Sequence, residues 1–288
     1  MNCVTDACNV YWTDQATGGV MRVSKNGGTT SPVATSSPPP GQSMLSEGLA
    51  IDSSNIYWSE YVDTGPGSVP LRTGDVTQTS LIGSVSKQIW TGTDAPNAVA
   101  VDGTYVYILQ NSDLERVPIG GGQVATLANG AGAYGLTVTP AAAFWTTYNG
   151  VDSVMSVPLD GGASSTFTTG TSGTGSSSTS LVQDGTNLYW GDSKSGGVNG
   201  SVYLKPIDGG TQVSLSSAAE PLGIAYDASY VYVTTGQGGT VLKIAKSGAG
   251  VTTLASGQGW PYGIAVDDNF VYWVNNNGGT NSVMRIAK

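Results

Sequence analysis

Any chemistry in this chain would run on carboxylates, amides and aromatic rings, because its 288 residues include no histidine. That absence removes Ser-His-Asp hydrolysis and imidazole-bound metals. The candidates stand at two kinds of position. Glu47, Asn97, Tyr134 and Tyr262, with Thr179 and Leu222, each precede a short apolar run that closes on Asp or a substitute for it. Asp14, Glu60, Gln110, Asp192 and Asn275, with Thr147 and Thr235, each follow a run of the form Val-Tyr-Trp. Together they offer oxygens, amides and aromatic faces with hardly any cation. Such a mixture suits sugar hydroxyls, which want planar hydrogen-bonding partners and an aromatic platform. It also suits a hard cation such as calcium, which takes oxygen ligands.

The elements that must position these residues repeat. The phrase reads Asn9-Val10-Tyr11-Trp12, Asn55-Ile56-Tyr57-Trp58, Tyr105-Val106-Tyr107-Ile108, Ala142-Ala143-Phe144-Trp145, Asn187-Leu188-Tyr189-Trp190, Tyr230-Val231-Tyr232-Val233 and Phe270-Val271-Tyr272-Trp273. Repetition at a period of roughly 40 residues makes each copy one supersecondary unit that cannot bury its apolar faces alone. The sixth copy resolves into four short strands, Gly223 to Tyr226, Tyr230 to Thr234, Thr240 to Ile244 and Val251 to Ala255. Four antiparallel strands make a propeller blade. The pattern predicts an all-β, seven-bladed β-propeller forming a single domain over residues 1–288. Its repeats start near Asn2, Gly48, Ala98, Gly135, Ser180, Gly223 and Gly263. The seventh copy ends at Lys288 after its third strand, so the expectation is either a last blade of three strands or a native N-terminal segment absent from these residues. Asp6, Asp52, Asp102, Asp184, Asp227 and Asp267 close the first strand, where a carboxylate accepts from the N–H groups of the following turn. Thr139-Pro140 stands in their place in the fourth copy and should change that turn.

In a blade whose first strand lines the channel, the loops between strands two and three and the connections between blades leave on one face. Length varies there: Thr35 to Glu47, Glu60 to Gly74, Thr168 to Thr179, Asp192 to Gly200 and Asn275 to Asn281. Binding residues favour loops on a rigid scaffold, so Glu47, Asn97, Tyr134 and Tyr262 are expected around the channel mouth. Asp14, Glu60, Gln110, Asp192 and Asn275 are expected in a wider ring outside them.

Charge narrows the partners. A net charge of −9 with eleven Lys plus Arg lacks the basic surface that phosphate backbones require, so no nucleic-acid partner is expected. No apolar run approaches the length of a bilayer span, so no membrane insertion is expected. Cys3 and Cys8 flank the first hairpin turn, and a disulfide between them is expected. With loops rich in Gly, Ser, Thr and Asn, this suggests a monomer exported to an extracellular or periplasmic setting, its signal sequence absent from these residues.

Tyr11-Trp12-Thr13-Asp14, Val20-Met21-Arg22 and Leu159-Asp160-Gly161 resemble the YWTD repeats of low-density-lipoprotein-receptor-type propellers. Secreted bacterial propellers built from the same phrase, mostly without an assigned activity, are more similar still. The resemblance implies a non-catalytic binding or interaction propeller, with a carbohydrate or protein ligand held on the loop-rich face. A second resemblance gives the alternative, a calcium-dependent lactonase. Glu47-Gly48 and Pro96-Asn97 fall at inner-strand starts, similar to the way gluconolactonase-type propellers present metal ligands, with Asp14 or Asp192 required as the third ligand.

Overall fold

The computed structural model describes residues 3–14, 17–36, 43–63, 73–82, 85–111, 113–130, 134–147, 153–169, 180–193, 200–218, 220–276 and 281–288, with the backbone alone at 43–46, 63 and 193. Two compact units divide the chain, Met1–Ala133 and Tyr134–Lys288. The first unit holds three antiparallel sheets. These are β1 (Cys3–Thr5), β2 (Asn9–Asp14), β3 (Gly19–Ser24) and β4 (Ser31–Thr35); β5 (Ser43–Ile51), β6 (Asn55–Asp63), β7 (Gly74–Ser80) and β8 (Ser86–Gly92); and β9 (Pro96–Val101), β10 (Tyr105–Gln110), β11 (Asp113–Pro118) and β12 (Ala125–Asn129). The second unit holds four. These are β13 (Leu136–Val138), β14 (Ala142–Thr147), β15 (Ser153–Pro158) and β16 (Ser165–Thr169); β17 (Leu181–Gln183), β18 (Asn187–Ser193), β19 (Gly200–Pro206) and β20 (Val213–Ala218); β21 (Pro221–Tyr226), β22 (Tyr230–Thr235), β23 (Thr240–Ala245) and β24 (Val251–Ala255); and β25 (Pro261–Val266), β26 (Phe270–Asn275) and β27 (Ser282–Ala287). Strands neighbour one another in chain order in every sheet, and no described residue is helical. The fold is a seven-bladed all-β propeller whose last blade has three strands.

The second strand of each blade carries the core. Its residues alternate sides, so Tyr and Trp of one phrase serve opposite seams. Tyr57 meets Val99 and Ile108 of the third blade, and Tyr11 meets Leu49 and Trp58 of the second. Phe144 packs with Trp190, Tyr189 with Val233, and Tyr232 with Trp273. Within each unit the tyrosine faces the following blade and the tryptophan the preceding one. The fourth strands contribute through a bulge. Against strand three the register slips after the first pairs, leaving Val33, Ile89, Leu127, Phe167, Leu215 and Leu254 as the extra residue. All six are apolar and at least half-buried.

A tyrosine ring driven into a seam carries a hydroxyl that needs an acceptor. The Asp five residues earlier supplies it. Tyr11, Tyr57 and Tyr107 donate to Oδ2 of Asp6, Asp52 and Asp102 at 2.6 Å each. Tyr189, Tyr232 and Tyr272 do the same to Asp184, Asp227 and Asp267 at 2.7, 2.8 and 2.9 Å. The other oxygen accepts from two N–H groups of the turn, those of Ser54 and Asn55 for Asp52. In the fourth blade both residues change together. Phe144 has no hydroxyl, and Thr139 Oγ1 accepts from the N–H groups of Ala141 and Ala142. That turn keeps its cap without a carboxylate.

Partial burial works to raise the Asp102 pKa, but the Tyr107 hydroxyl and the turn N–H groups hold it below the ordinary carboxylate value. Burial, and then the carboxylate, push the Tyr11 and Tyr272 hydroxyls up to about 12. Asp184, against the same burial, is held at about 2 by Lys246, the Asn187 N–H and Tyr189. A depressed carboxylate stabilises the fold above its unfolded value of 3.8 and loses that contribution as pH falls toward 2. A raised phenol contributes fully below 10.0 and is lost as pH climbs through 12. Melting temperature followed by circular dichroism should therefore decline on both limbs, below about pH 4 and above about pH 10.

Asp102→Thr should strand the Tyr107 hydroxyl and cost about 1–3 kcal/mol. Adding Tyr107→Phe should return most of that loss, because Thr139 and Phe144 already form such a pair. Urea midpoints of the two single variants and the double variant check this, and strictly additive losses would refute the coupling.

Candidate functional site

The carboxylates and amides singled out by the sequence fall mostly inside the blades. Strand β6 runs to Asp63 and β18 to Ser193, so residues expected just beyond the second strand are part of it. Glu60 is 8% exposed, Gln110 4%, Asp192 1% and Asn275 5%; Thr147 and Thr235 are buried too, and only Asp14 is half-exposed. The expected outer ring of accessible ligands is largely a layer of buried polar side chains. Asn275 Nδ2 donates to Gln258 Oε1 at 3.1 Å and to Ser282 Oγ at 3.4 Å. Glu60 accepts from the Ser36 hydroxyl. Burial raises the Glu60 pKa and Asp75 adds to it, with the Ser36 bond opposing. Asp14 accepts from Thr17 Oγ1 at 3.2 Å.

The inner positions are more open. Tyr134 is 48% exposed, whereas Tyr262 and Asn97 are half-buried and Leu222 is buried. Thr179 lies outside the described residues. Glu47 sits within β5, between Ser46 and Leu49 where the pairing with β6 slips, and not ahead of the strand as expected. Its Oε1 accepts from Tyr61 at 3.4 Å, and Asn97 Nδ2 donates to Asn111 Oδ1 at 2.8 Å. Each is thus engaged within its own blade. Among the described residues no three acidic or thiol side chains converge. Calcium takes six to eight oxygens, and among the described residues Glu47 belongs to no group of three such side chains.

Next to these positions the backbone is fixed by buried hydroxyls. Ser59 Oγ accepts from Gly48 N–H at 2.7 Å and donates to the Pro96 carbonyl of the following blade at 2.9 Å. Thr234 Oγ1 accepts from Gly223 N–H at 2.9 Å and donates to the Tyr262 carbonyl at 2.5 Å. A Cβ on Gly223 would come within 2.3 Å of that carbonyl, so no larger residue fits. These staples hold one inner strand against the next.

Sequence reasoning missed Trp260. Of the seven tryptophans six are at most 6% exposed, and Trp260 is 42% exposed. It precedes Pro261 with φ 53°, in the left-handed region unfavourable to a bulky side chain. Asn276 N–H donates to its carbonyl at 3.1 Å, and its own N–H donates to the Gln258 carbonyl at 3.1 Å. Gln258 is fixed in turn by the Trp273 indole N–H at 3.1 Å. Glu220, ahead of Pro221, takes the same backbone with φ 51°, so the conformation belongs to the blade connection and the exposed indole is what Trp260 adds. One signal was available: this tryptophan lies outside the repeating phrase.

At the opposite end of the fifth and sixth blades an open cavity of about 500 Å³ is lined by Asp184, Tyr189, Tyr226, Asp227 and Lys246, among others. Its carboxylates are engaged. Lys246 Nζ lies 2.7 Å from Asp184 Oδ2 and over the Tyr189 and Tyr226 rings, and Lys288 Nζ lies 2.8 Å from Asp227 Oδ2. Cys3 and Cys8 are free thiols, the first buried and the second exposed. The expected disulfide is not formed, because a strand and part of a turn hold their Cα atoms roughly 10 Å apart, beyond the 7 Å a disulfide bridges. Burial raises the Cys3 thiol to about 12 and makes it inert.

No family model matches the chain, and no curated protein matches it. Solved structures do. A hydrazine synthase of Kuenenia stuttgartiensis superposes with a TM-score of 0.72 at 16% identity, over 99% of this chain and 95% of that one. A YCF48 structure bound to a D1 peptide gives 0.68 at 13% identity, over 100% and 93%. A nidogen/laminin complex gives 0.60 at 18% identity, over 82% and 90%. At such identities the likeness shows the fold alone. No helix among the described residues is long and apolar enough to cross a membrane.

With Glu47 and Asn97 engaged and no cluster of three acidic or thiol side chains among the described residues, millimolar calcium should leave the melting temperature unchanged in the parent and in Glu47→Gln. A concentration-dependent rise confined to the parent would restore the metal site, since a ligand bound only by the native state stabilises by RT ln(1 + [L]/Kd).

Proposed function

We propose that this chain is a non-catalytic binding propeller that holds a glycan or a protein partner at the end of the blades bearing the longer connections. The exposed indole of Trp260 carries this reading. Every other tryptophan is buried, and this one is exposed on a backbone fixed by hydrogen bonds at both of its polar groups. A large, rigid aromatic surface loses little entropy on contact, which makes Trp the common anchor of protein interfaces and a platform for sugar rings. Tyr134 and Tyr262, at the starts of inner strands, supply further aromatic surface.

The comparisons agree with a binding role without selecting a ligand. Two of the similar structures are of proteins engaged with a partner, laminin for nidogen and a D1 peptide for YCF48. A third comes from an enzyme, so the fold by itself does not decide. Export of the chain is proposed on its loop composition alone, since no disulfide supports it.

Trp260 also provides the test, because it dominates the fluorescence that acrylamide can quench. Ligands found on glycan arrays or by partner capture should protect that fraction. Trp260→Gly, which keeps the left-handed backbone accessible, should weaken binding about 10-fold or more at an unchanged melting temperature. Equal binding by parent and variant would reject Trp260 as the anchor.

A further inference from the structure

A glycine that follows Asn or Asp opens the chain to an internal attack, because its nitrogen can reach the side-chain carbonyl and it has no Cβ to stand in the way. Water is the only co-reactant. A folded chain resists in two ways: a hydrogen bond holds the glycine N–H, or partners hold the preceding side chain.

Six such pairs have both residues described: Asn26-Gly27, Asp102-Gly103, Asn129-Gly130, Asp160-Gly161, Asp184-Gly185 and Asp208-Gly209. Four of them hold the glycine nitrogen. Gly27, Gly161 and Gly209 donate to the carbonyls of Ser24, Pro158 and Pro206 at 2.8, 3.4 and 3.1 Å, which closes the turn after the third strand. Gly185 donates to Gln183 Oε1 at 2.6 Å. The fifth pair holds the side chain instead: Asp102 accepts from the Tyr107 hydroxyl and from the Thr104 and Tyr105 N–H groups. An ionised carboxylate so engaged is a poor electrophile.

Asn129-Gly130 has neither protection, since no hydrogen bond holds the Gly130 N–H or the Asn129 amide among the described residues. Asn129 closes β12, the outer strand of the third blade, and is exposed. A strand paired on one side only leaves its last residue freer to turn. Gly130 follows with φ 69°, and a Cβ built on it would meet nothing within 4 Å, so the peptide has room to move.

We propose that Asn129 is a modification site at which the folded chain deamidates itself. The Gly130 nitrogen loses its proton and bonds to Asn129 Cγ, the Cγ–Nδ2 bond breaks, and ammonia leaves with that proton. A cyclic imide remains. Water then adds to one imide carbonyl: opening at Cγ gives Asp, and opening at the α-carbonyl gives isoaspartate, whose main chain runs through Cβ and Cγ. Either product adds one negative charge to a chain already at −9. Asn129 stands directly opposite Asp113 in the β11–β12 ladder, so the Asp product sets two carboxylates against each other there. This site is independent of Trp260.

The test holds the intact protein, folded, in warm and mildly alkaline buffer and samples it by ion exchange and peptide mapping. Mapping separates Asn129 from Asn149, Asn199 and Asn277, which also precede glycine and lie outside the described residues. A more acidic form should accumulate with Asn129 converted to a mixture of Asp and isoaspartate, while Asn26 stays intact. In urea Asn26 and Asn129 should convert at like rates, since the hydrogen bond that protects Gly27 is then lost. An Asn129 that stays intact in the folded protein, or an Asn26 that converts as fast there, would overturn the proposal. So would a preference for Asn129 that persists unchanged in urea, because the local sequence and not the fold would then set the rate.

Discussion

A phenol pushed into an apolar seam must find an acceptor without leaving it, and the Tyr–Asp bond meets that constraint. The antiparallel pairing of the first two strands brings position i−5 alongside the ring's outer end, so a single Asp serves both demands. Its Oδ2 takes the hydroxyl while Oδ1 takes two N–H groups of the turn. The hairpin is thereby tied to the seam it helps to build. A burial term and a turn term are coupled through one side chain, which makes each hairpin more cooperative than either term alone. The fourth blade shows the same logic by omission. Phe144 removes the hydroxyl, and Thr139 caps the turn with nothing left over.

The sequence displayed half of this arrangement. Asp recurring at the end of an apolar run announces a capped turn, and alternation announces a buried Tyr. Their mutual bond is a side-chain contact across a hairpin, which periodicity does not encode. The polar layer was misplaced for a related reason. Glu60, Gln110, Asp192 and Asn275 follow the recognisable phrase and are hydrophilic, so they read as the first loop residues. The ladder continues past them, with Glu60 opposite Asp75 and Asp192 opposite Ser201, and the pairing carries them inside. The second blade misled most, because β5 and β6 form a hairpin of nine residues a side where the shorter copies suggested loops on either flank. Blade count was legible because it depends only on repetition.

One position shows how much latitude the seams allow. Leu81, Ile119 and Ile207, just past the third strand, pack against the preceding blade. In the sixth and seventh blades the same position is Lys246 and Lys288. There the ammonium lies over an aromatic ring and reaches the preceding blade's Asp. An apolar wedge and a cation held between rings and a carboxylate are physically different ways to fill one gap. Both leave the turn end of the blades committed to structure, and the Asp residues lining the open cavity there are part of that commitment.

Function is then to be sought where the repeat is broken without a compensating structural partner. The Thr139 and Phe144 pair is a break that compensates itself, and the lysines are a break that ties two blades. Trp260 differs, since Glu220 holds the equivalent backbone without an indole and the ring of Trp260 is 42% exposed.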